Sequence, residues 1–362
     1  MHVPLTKPDL PRVDEIRPQL QEILSSGKVT NFGKYCTELE RQAGEFLGTH
    51  VVAVSSGTIG LVFALQALDL PRDSHVAMPS FTFSATAQAV LAAGLRPFYV
   101  DVGKDGLISP WAVERALDQI PGIKAVMPVN LFGAQCDTEG LLGAVIGRGA
   151  KLICDSAHAF GDPPRQWGQD VEVFSLSATK PITAMEGGLV STRYREIADR
   201  VRAARNYGVA SNYNALVSGL NGKMPEINAV VGLHNLARAD SLINARLRRA
   251  ASYSRALTER SGFKMLNVIA LITSVWKDFP ILVPPYHRTA IREHLAALGV
   301  ETRCYYDPPC HKQPALIAFG HKLPETERLA KSVLCLPFYA SMTDAEMNYV
   351  VDKLVDAERK FC

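Results

Sequence analysis

No apolar stretch in this 362-residue chain approaches the roughly 18 residues needed to span a bilayer, so no membrane-spanning helix is expected. The opening Met1-His2-Val3-Pro4-Leu5 has neither a basic nor an apolar leader pattern, which predicts no secretory signal and a cytoplasmic location. Excess charge is also scarce. A net charge of +3 and the absence of a long Lys/Arg run argue against a nucleic-acid-binding surface. The densest basic cluster, Arg246-Leu247-Arg248-Arg249, lies in a helical pattern and reads as a solvated helix face. The seven cysteines are odd in number and scattered, without a CxxC pair. Cys154 and Cys335 lie in apolar runs that suit reduced, buried thiols, so neither a disulfide framework nor a metal site is expected. No Gly-x-Gly-x-x-Gly follows a strand, which counts against an NAD-binding enzyme. Repeats and low-complexity segments are absent too.

What remains is the alternating pattern of a large α/β enzyme. Val51–Val54, His75–Met78, Pro97–Val100, Ala125–Val129, Leu152–Asp155, Val171–Ser175 and Gly188–Thr192 read as strands. Helical spacing falls between them at Thr58–Leu68 and Ala85–Ala93, and Ser109-Pro110 supplies an N-cap followed by a first-turn proline. Such alternation predicts a mostly parallel sheet with helices on both faces. Residues 195–206 and 225–259 read as helices, the second long and arginine-rich. The remainder mixes strand-like Pro280–Val283 with helical His287–Leu298 and Asp344–Val355, the pattern of an α+β tail domain.

The chemistry concentrates around one lysine. Phe174-Ser175-Leu176-Ser177-Ala178-Thr179-Lys180 runs into Pro181-Ile182-Thr183-Ala184-Met185-Glu186-Gly187-Gly188. Upstream, Cys154-Asp155-Ser156-Ala157-His158 closes the apolar run Lys151-Leu152-Ile153. An acid ending a buried strand and a lysine before a Glu-Gly-Gly turn suggest a pyridoxal phosphate site. There a lysine forms the Schiff base and an acid pairs with the pyridinium nitrogen, keeping the ring an electron sink. Alone, such a lysine is usually solvated and such an aspartate usually caps a turn. Val54-Ser55-Ser56-Gly57-Thr58 adds a strand-to-helix turn whose helix N-terminus favours a phosphate. Pro79-Ser80-Phe81-Thr82-Phe83 adds an aromatic able to stack on a flat ring. Asn221, followed by Gly222, reads by itself as a turn residue, and His311 as a loop histidine.

The order and spacing of these elements resemble the sugar aminotransferases of the DegT/DnrJ/StrS family over almost the whole chain. The resemblance rests on the Ser-Gly-Thr turn at 56–58, Pro-x-x-Thr-Phe-x-Ala-Thr-Ala at 79–87 and Asp-x-Ala-His at 155–158. It rests also on Ser-x4-Lys at 175–180 and Glu-Gly-Gly at 186–188. It implies the aspartate aminotransferase (type I) pyridoxal-phosphate-dependent transferase fold. A large, mostly parallel sheet domain over 1–245 binds the cofactor, and a small α+β C-terminal domain covers 246–362.

Carried over by motif position, Lys180 would be the Schiff-base lysine and Asp155 the partner of the ring nitrogen. Phe83 would stack on the ring, and His158 would lie beside it. Gly57, Thr58 and Ser175 would hold the phosphate, and Asn221 would reach the cofactor of a neighbouring subunit, making a homodimer with shared active sites. Glu186, Lys223 and His311 are the candidates for substrate contacts. The implied reaction moves an amino group from glutamate to a nucleotide-linked keto-sugar, as antigen, glycan and antibiotic pathways require. The loops at Thr30-Asn31-Phe32-Gly33 and Asn221-Gly222-Lys223-Met224 look most like members that convert dTDP-4-keto-6-deoxy-glucose to its 4-amino product; amination of a 3-keto sugar is the alternative. A related sugar dehydratase, in which histidine replaces the lysine, is disfavoured by Lys180 itself. The chain departs from the family where Asn-x-Arg-Met becomes Asn221-Gly222-Lys223-Met224, exchanging a fork-shaped guanidinium for a point-like ammonium. It departs again at Asn130, where the family has a histidine.

Overall fold

The structure is a computed structural model that describes residues 1–161, 168–258, 260–266 and 274–362. The predicted helix end at residue 259 lies outside the described residues. Seven strands among them form one sheet: β1 (His50–Val54), β2 (His75–Pro79), β3 (Arg96–Val100), β4 (Ile123–Val126), β5 (Lys151–Asp155), β6 (Val171–Ser175) and β7 (Gly188–Thr192). Their spatial order is β1-β7-β6-β5-β4-β2-β3. Strands β2 to β6 pair in parallel, whereas β7 runs antiparallel to both β6 and β1. Strand β1 therefore points the same way as the parallel set. The strands are short apolar runs because helices cover both faces.

Strands β6 and β7 keep their predicted bounds. Strand β4 stops short of Val129 because Pro128 has no N–H to give the ladder. Its carbonyl still accepts the Asp155 N–H at 2.9 Å, and pairing resumes as a single Val129–Asp155 bridge.

Helices α1 (Val13–Ser26), α2 (Lys34–Leu47), α3 (Gly57–Ala67), α4 (Ser84–Ala92), α5 (Pro110–Gln119), α6 (Thr138–Val145) and α7 (Arg195–Ala204) surround the sheet. Helix α5 begins as the sequence predicts, with the Ser109 hydroxyl accepting the Ala112 N–H at 3.3 Å. Helix α3 is apolar on almost every side and mostly buried, as its place against β6 and β7 with α4 and α7 beside it requires.

The helix predicted over 225–259 is two, α8 (Glu226–Leu236) and α9 (Ala239–Thr258). Neither glycine nor proline marks the break at Ala237-Arg238. The expected domain division at residue 245 falls inside α9. The reading of 246–249 as a solvated face needs correction. Arg246 is 1% exposed and donates to the carbonyl of Trp276 at 3.0 Å, so the cluster's first arginine faces inward.

Beyond α9, Lys264–Met265, Phe279–Leu282 and Val333–Leu336 form an antiparallel sheet. Helices Arg288–Ala297, Pro324–Ser332 and Asp344–Phe361 accompany it, the last running past the predicted Val355. The chain's opening joins this part, since Val3 bridges Val300. A continuous apolar cluster reaches from Val126 and Leu152 of the large sheet to Phe279, Ile281 and Val350. Among the described residues, no helix is long and apolar enough to cross a membrane.

Candidate active site

The sheet topology collects the candidate residues at one edge. Ser55–Thr58 follow the C-terminal end of β1, Phe83 follows β2, Asp155 ends β5 and Ser175 ends β6. Strand β7 runs the other way, so its first residue, Gly188, lies at the same edge between Val54 and Ser175. The carboxyl ends of parallel strands are where α/β folds bind ligands. A Cβ at Gly188 would come within 2.7 Å of the Gly57 nitrogen, and one at Gly57 within 2.9 Å of the Ser175 Cβ. Only glycines admit this close approach of the turn to the two strands. The Ser56 hydroxyl caps Ile59 N at 3.2 Å, and the other first-turn N–H groups of α3 are available for an anion. This cradle fits a phosphate.

Gly57, Thr58, Phe83, Asp155, His158, Ser175, Lys180 and Glu186 all line one cavity of about 220 Å³. Larger grooves of about 520, 610 and 760 Å³ contain none of these residues, although the last is lined by the Thr30–Gly33 loop. Phe83 is 58% exposed beside this cavity, its ring 6.2 Å from that of Tyr306, so a large apolar face is free to meet a ligand.

Lys180 keeps partial exposure in the cavity, yet the walls shield its amine from bulk water. Burial, reinforced by the positive charge of Lys277, pushes its pKa down to about 7. Asp155 is buried. Burial raises its carboxyl above the usual range, opposed first by the Thr86 hydroxyl and then by the Ala157 N–H. These donate to Oδ2 at 2.8 Å and to Oδ1 at 3.1 Å.

His158 is also buried, and its pKa lies well below the ordinary imidazole range because of burial and then the charges of Lys180 and Lys277. Its Nδ1 accepts the Phe132 N–H at 3.1 Å. A neutral ring that accepts at Nδ1 carries its proton on Nε2. Phe132 in turn stacks against His158 and against Tyr306. Lys277 fixes that loop by donating its N–H to the Phe132 carbonyl at 2.8 Å. Its ammonium pairs with Asp278 at 2.8 Å, and both side chains are buried.

Three expected residues stand outside the cavity lining. Asn221 is exposed, on a loop anchored where the Gly222 carbonyl accepts the Ser55 N–H at 2.8 Å. Lys223 bonds Asn206 Oδ1 at 3.4 Å and lies over the Tyr207 ring. His311, expected near a sugar-bound diphosphate, is buried outside this lining. Its Nδ1 stands 2.6 Å from Ser80 Oγ and its Nε2 3.3 Å from Glu327, leaving neither nitrogen for a substrate.

Sequence reasoning assigned no role to Thr86, Tyr306, Lys277 or Asp278. Thr86 lies within the Pro-x-x-Thr-Phe-x-Ala-Thr-Ala run at 79–87. The adjacent opposite charges Lys277-Asp278 between Val275-Trp276 and Phe279-Pro280-Ile281 are the legible signal of a buried pair. Among the described residues, no group of three or more His, Cys, Asp and Glu side chains is placed to hold a metal ion.

A model of the DegT/DnrJ/EryC1/StrS aminotransferase family matches residues 12–355. The chain is 30% identical over 361 residues to the dTDP-4-amino-4,6-dideoxy-D-glucose transaminase of Shigella dysenteriae, covering 97% of each protein. It is also 30% identical to the dTDP-3-amino-3,4,6-trideoxy-alpha-D-glucose transaminase of Streptomyces venezuelae, covering 96% of this chain and 94% of that one. Among solved structures, DesI in the presence of its TDP-sugar product matches with a TM-score of 0.91 and 31% identity, covering 99% of this chain and 94% of that one.

Proposed function

The chain belongs to the DegT/DnrJ/EryC1/StrS aminotransferase family, as a pyridoxal-phosphate-dependent sugar-nucleotide transaminase, and from that premise we propose its substrate and the work of its residues. The substrate is dTDP-4-keto-6-deoxy-glucose, the amino donor is glutamate, and the product carries nitrogen at C4. Supporting this choice are the 30% identity to a 4-amino-sugar transaminase along 97% of the chain and the loops at 30–33 and 221–224. An equal identity to a 3-amino-sugar transaminase keeps C3 amination as the second reading.

The cofactor, when bound, supplies an electron sink that stabilises negative charge at the carbon being deprotonated. The observation that carries the assignment of roles is Lys180, an amine held near pKa 7 in the same cavity as Asp155. Such an amine is neutral in a large fraction of molecules at neutral pH, so it can attack a carbonyl carbon. Once free, it can also take up and return a proton during transfer.

Asp155, held by Thr86 and Ala157, offers its remaining lone pairs to a protonated ring nitrogen. The Phe83 face covers a flat ring, and His158 donates from Nε2. Gly57, Thr58 and Ser175, with the N-terminus of α3, hold the phosphate. Glu186 lines the cavity, and Lys223 supplies a cation for the sugar-linked diphosphate.

The active unit is a homodimer, Asn221 of each copy completing the phosphate site of the other. Its exposure, on a loop tied to the turn that carries the phosphate cradle, supports this role.

The test of the assignment is spectroscopic. Purified protein loaded with pyridoxal phosphate is mixed with glutamate, and the cofactor's visible absorption band is followed. Loss of the band, reversed by a keto-sugar nucleotide, supports the reading; an unchanged band refutes it.

A further inference from the structure

We propose that Thr86, backed by Thr82, is a positioning residue that holds the Asp155 carboxylate ionised and oriented toward the ring-binding cavity. The inference rests on the functional reading above. It concerns the Thr86 hydroxyl, which that reading names only as a partner of Asp155, and the Thr82 hydroxyl, to which it gives no part.

Thr82, Thr86 and Asp155 are all buried. The Thr86 hydroxyl donates to Asp155 Oδ2 at 2.8 Å and lies 3.1 Å from the Thr82 hydroxyl. A hydroxyl has one proton. Because Thr86 gives its proton to the carboxylate, the Thr82 contact must run from Thr82 to Thr86. The two side chains therefore form a directed relay ending on Asp155. Polarisation along such a chain strengthens the last bond in a low-dielectric interior.

The placement is not a default of local structure. Thr86 lies in the first turn of α4, where a threonine hydroxyl ordinarily turns back to a nearby backbone carbonyl. Here it points across to the end of β5 instead. The Ala157 N–H holds the other carboxylate oxygen at 3.1 Å, so the plane of the group is fixed from two sides. One lone pair on each oxygen remains for a ring nitrogen.

Electrostatics gives the relay its purpose. Burial favours the neutral acid at Asp155, and the Thr86 hydroxyl is the largest influence in the opposite direction. The other groups facing the carboxylate are Lys180, whose charge also favours the ionised form, and Tyr306 and Cys154, whose own ionisation the carboxylate opposes. His158 lines the same cavity in its neutral form. A protonated Asp155 would have no negative charge to keep the ring nitrogen protonated, and the electron sink would be weakened.

The experiment compares wild type, Thr86→Val, Thr86→Ser and Thr82→Val as cofactor-loaded enzymes. Two quantities are read: cofactor dissociation constant, and the acid limb of the glutamate half-reaction from pH 5 to 9. Losing a hydrogen bond to a charged group should move the Thr86→Val acid limb up by roughly one to two pH units and weaken cofactor binding about tenfold or more. Thr86→Ser should behave as wild type, and Thr82→Val should move the limb the same way by less. Adding Thr82→Val to Thr86→Val should have no further effect.

An unmoved limb in Thr86→Val, or an equal shift in Thr86→Ser, would overturn the relay. Should Thr86→Val not fold, Thr82→Val decides, since it leaves Asp155 its own partner and only weakens it; an unmoved limb there counts against the relay. A wild type that never responds to glutamate fails the functional reading itself, and the relay falls with it. A responsive wild type with an indifferent Thr86→Val removes the relay alone.

Discussion

The backbone N–H of Phe132 donates to Nδ1 of His158 at 3.1 Å, which places the imidazole proton on Nε2 and makes the ring a fixed donor in the cavity. Nitrogen-15 NMR of labelled protein should therefore show neutral His158 in the Nε2–H tautomer. No His158 titration should be seen near pH 6.5, because burial, Lys180 and Lys277 all favour the neutral form. His158→Gln, which keeps an N–H donor, should retain more turnover than His158→Ala, whose loss of one hydrogen bond costs roughly 1 kcal/mol, about fivefold in rate. Equal activities of the two variants would show that the donor is not used.

Lys180 gives a pH prediction with a definite sign. Its amine is protonated below pH 7 and neutral above, whereas an ordinary lysine stays protonated to beyond pH 10. The rate at which the cofactor-free protein takes up pyridoxal phosphate should rise with pH, with a midpoint near 7, and then level off. Stopped-flow absorbance would measure it. A rate still climbing between pH 8 and 10 would contradict the shift.

The same lysine is tuned by Lys277 and Asp278, about 100 residues further along the chain. Lys277→Met removes a positive charge that lowers the Lys180 pKa, and frees Asp278 to raise it. Both changes move the uptake midpoint above 7. Because Asp278 is left buried and unpaired, the variant should also lose about 3–5 kcal/mol of stability, measured by urea unfolding.

Much of the site was legible because its chemistry is carried by strand ends. Asp155, Ser175 and the 55–58 turn needed only the β5, β6 and β1 boundaries, and those come from short apolar runs. The structure brings all three to the cavity that Lys180 lines. What depended on contacts distant in sequence was harder to read. Arg246 looked solvated because its buried partners, the carbonyls of Trp276 and Lys277, are 30 and 31 residues away. His311 looked like a substrate ligand, but its partner Ser80 is 231 residues away. The break between α8 and α9 has no glycine or proline to announce it, and the Thr82–Thr86–Asp155 chain exists only once the fold brings the first turn of α4 to the end of β5.

Assembly can be checked by complementation. Lys180→Ala and Asn221→Ala should each be inactive alone. After their subunits are mixed and exchange is confirmed, part of the activity should return, because a mixed dimer contains one site with both residues intact. Absence of any recovery would refute a shared site.

Gly57→Ala tests the phosphate cradle. The added methyl would approach the Ser175 Cβ at 2.9 Å, so the turn must shift at a cost of about 1–3 kcal/mol. Cofactor affinity, measured by equilibrium dialysis, should fall while the Lys180 uptake midpoint stays near 7. Undiminished affinity would place the phosphate elsewhere.

The most direct test of the central claim is the position of nitrogen in the product. The purified enzyme, loaded with pyridoxal phosphate, is given glutamate and dTDP-4-keto-6-deoxy-glucose, and the sugar product is characterised by two-dimensional NMR. The account predicts an amino group on C4, with no product from Lys180→Ala. Nitrogen on C3, or failure to aminate any 4-keto sugar nucleotide, would contradict it.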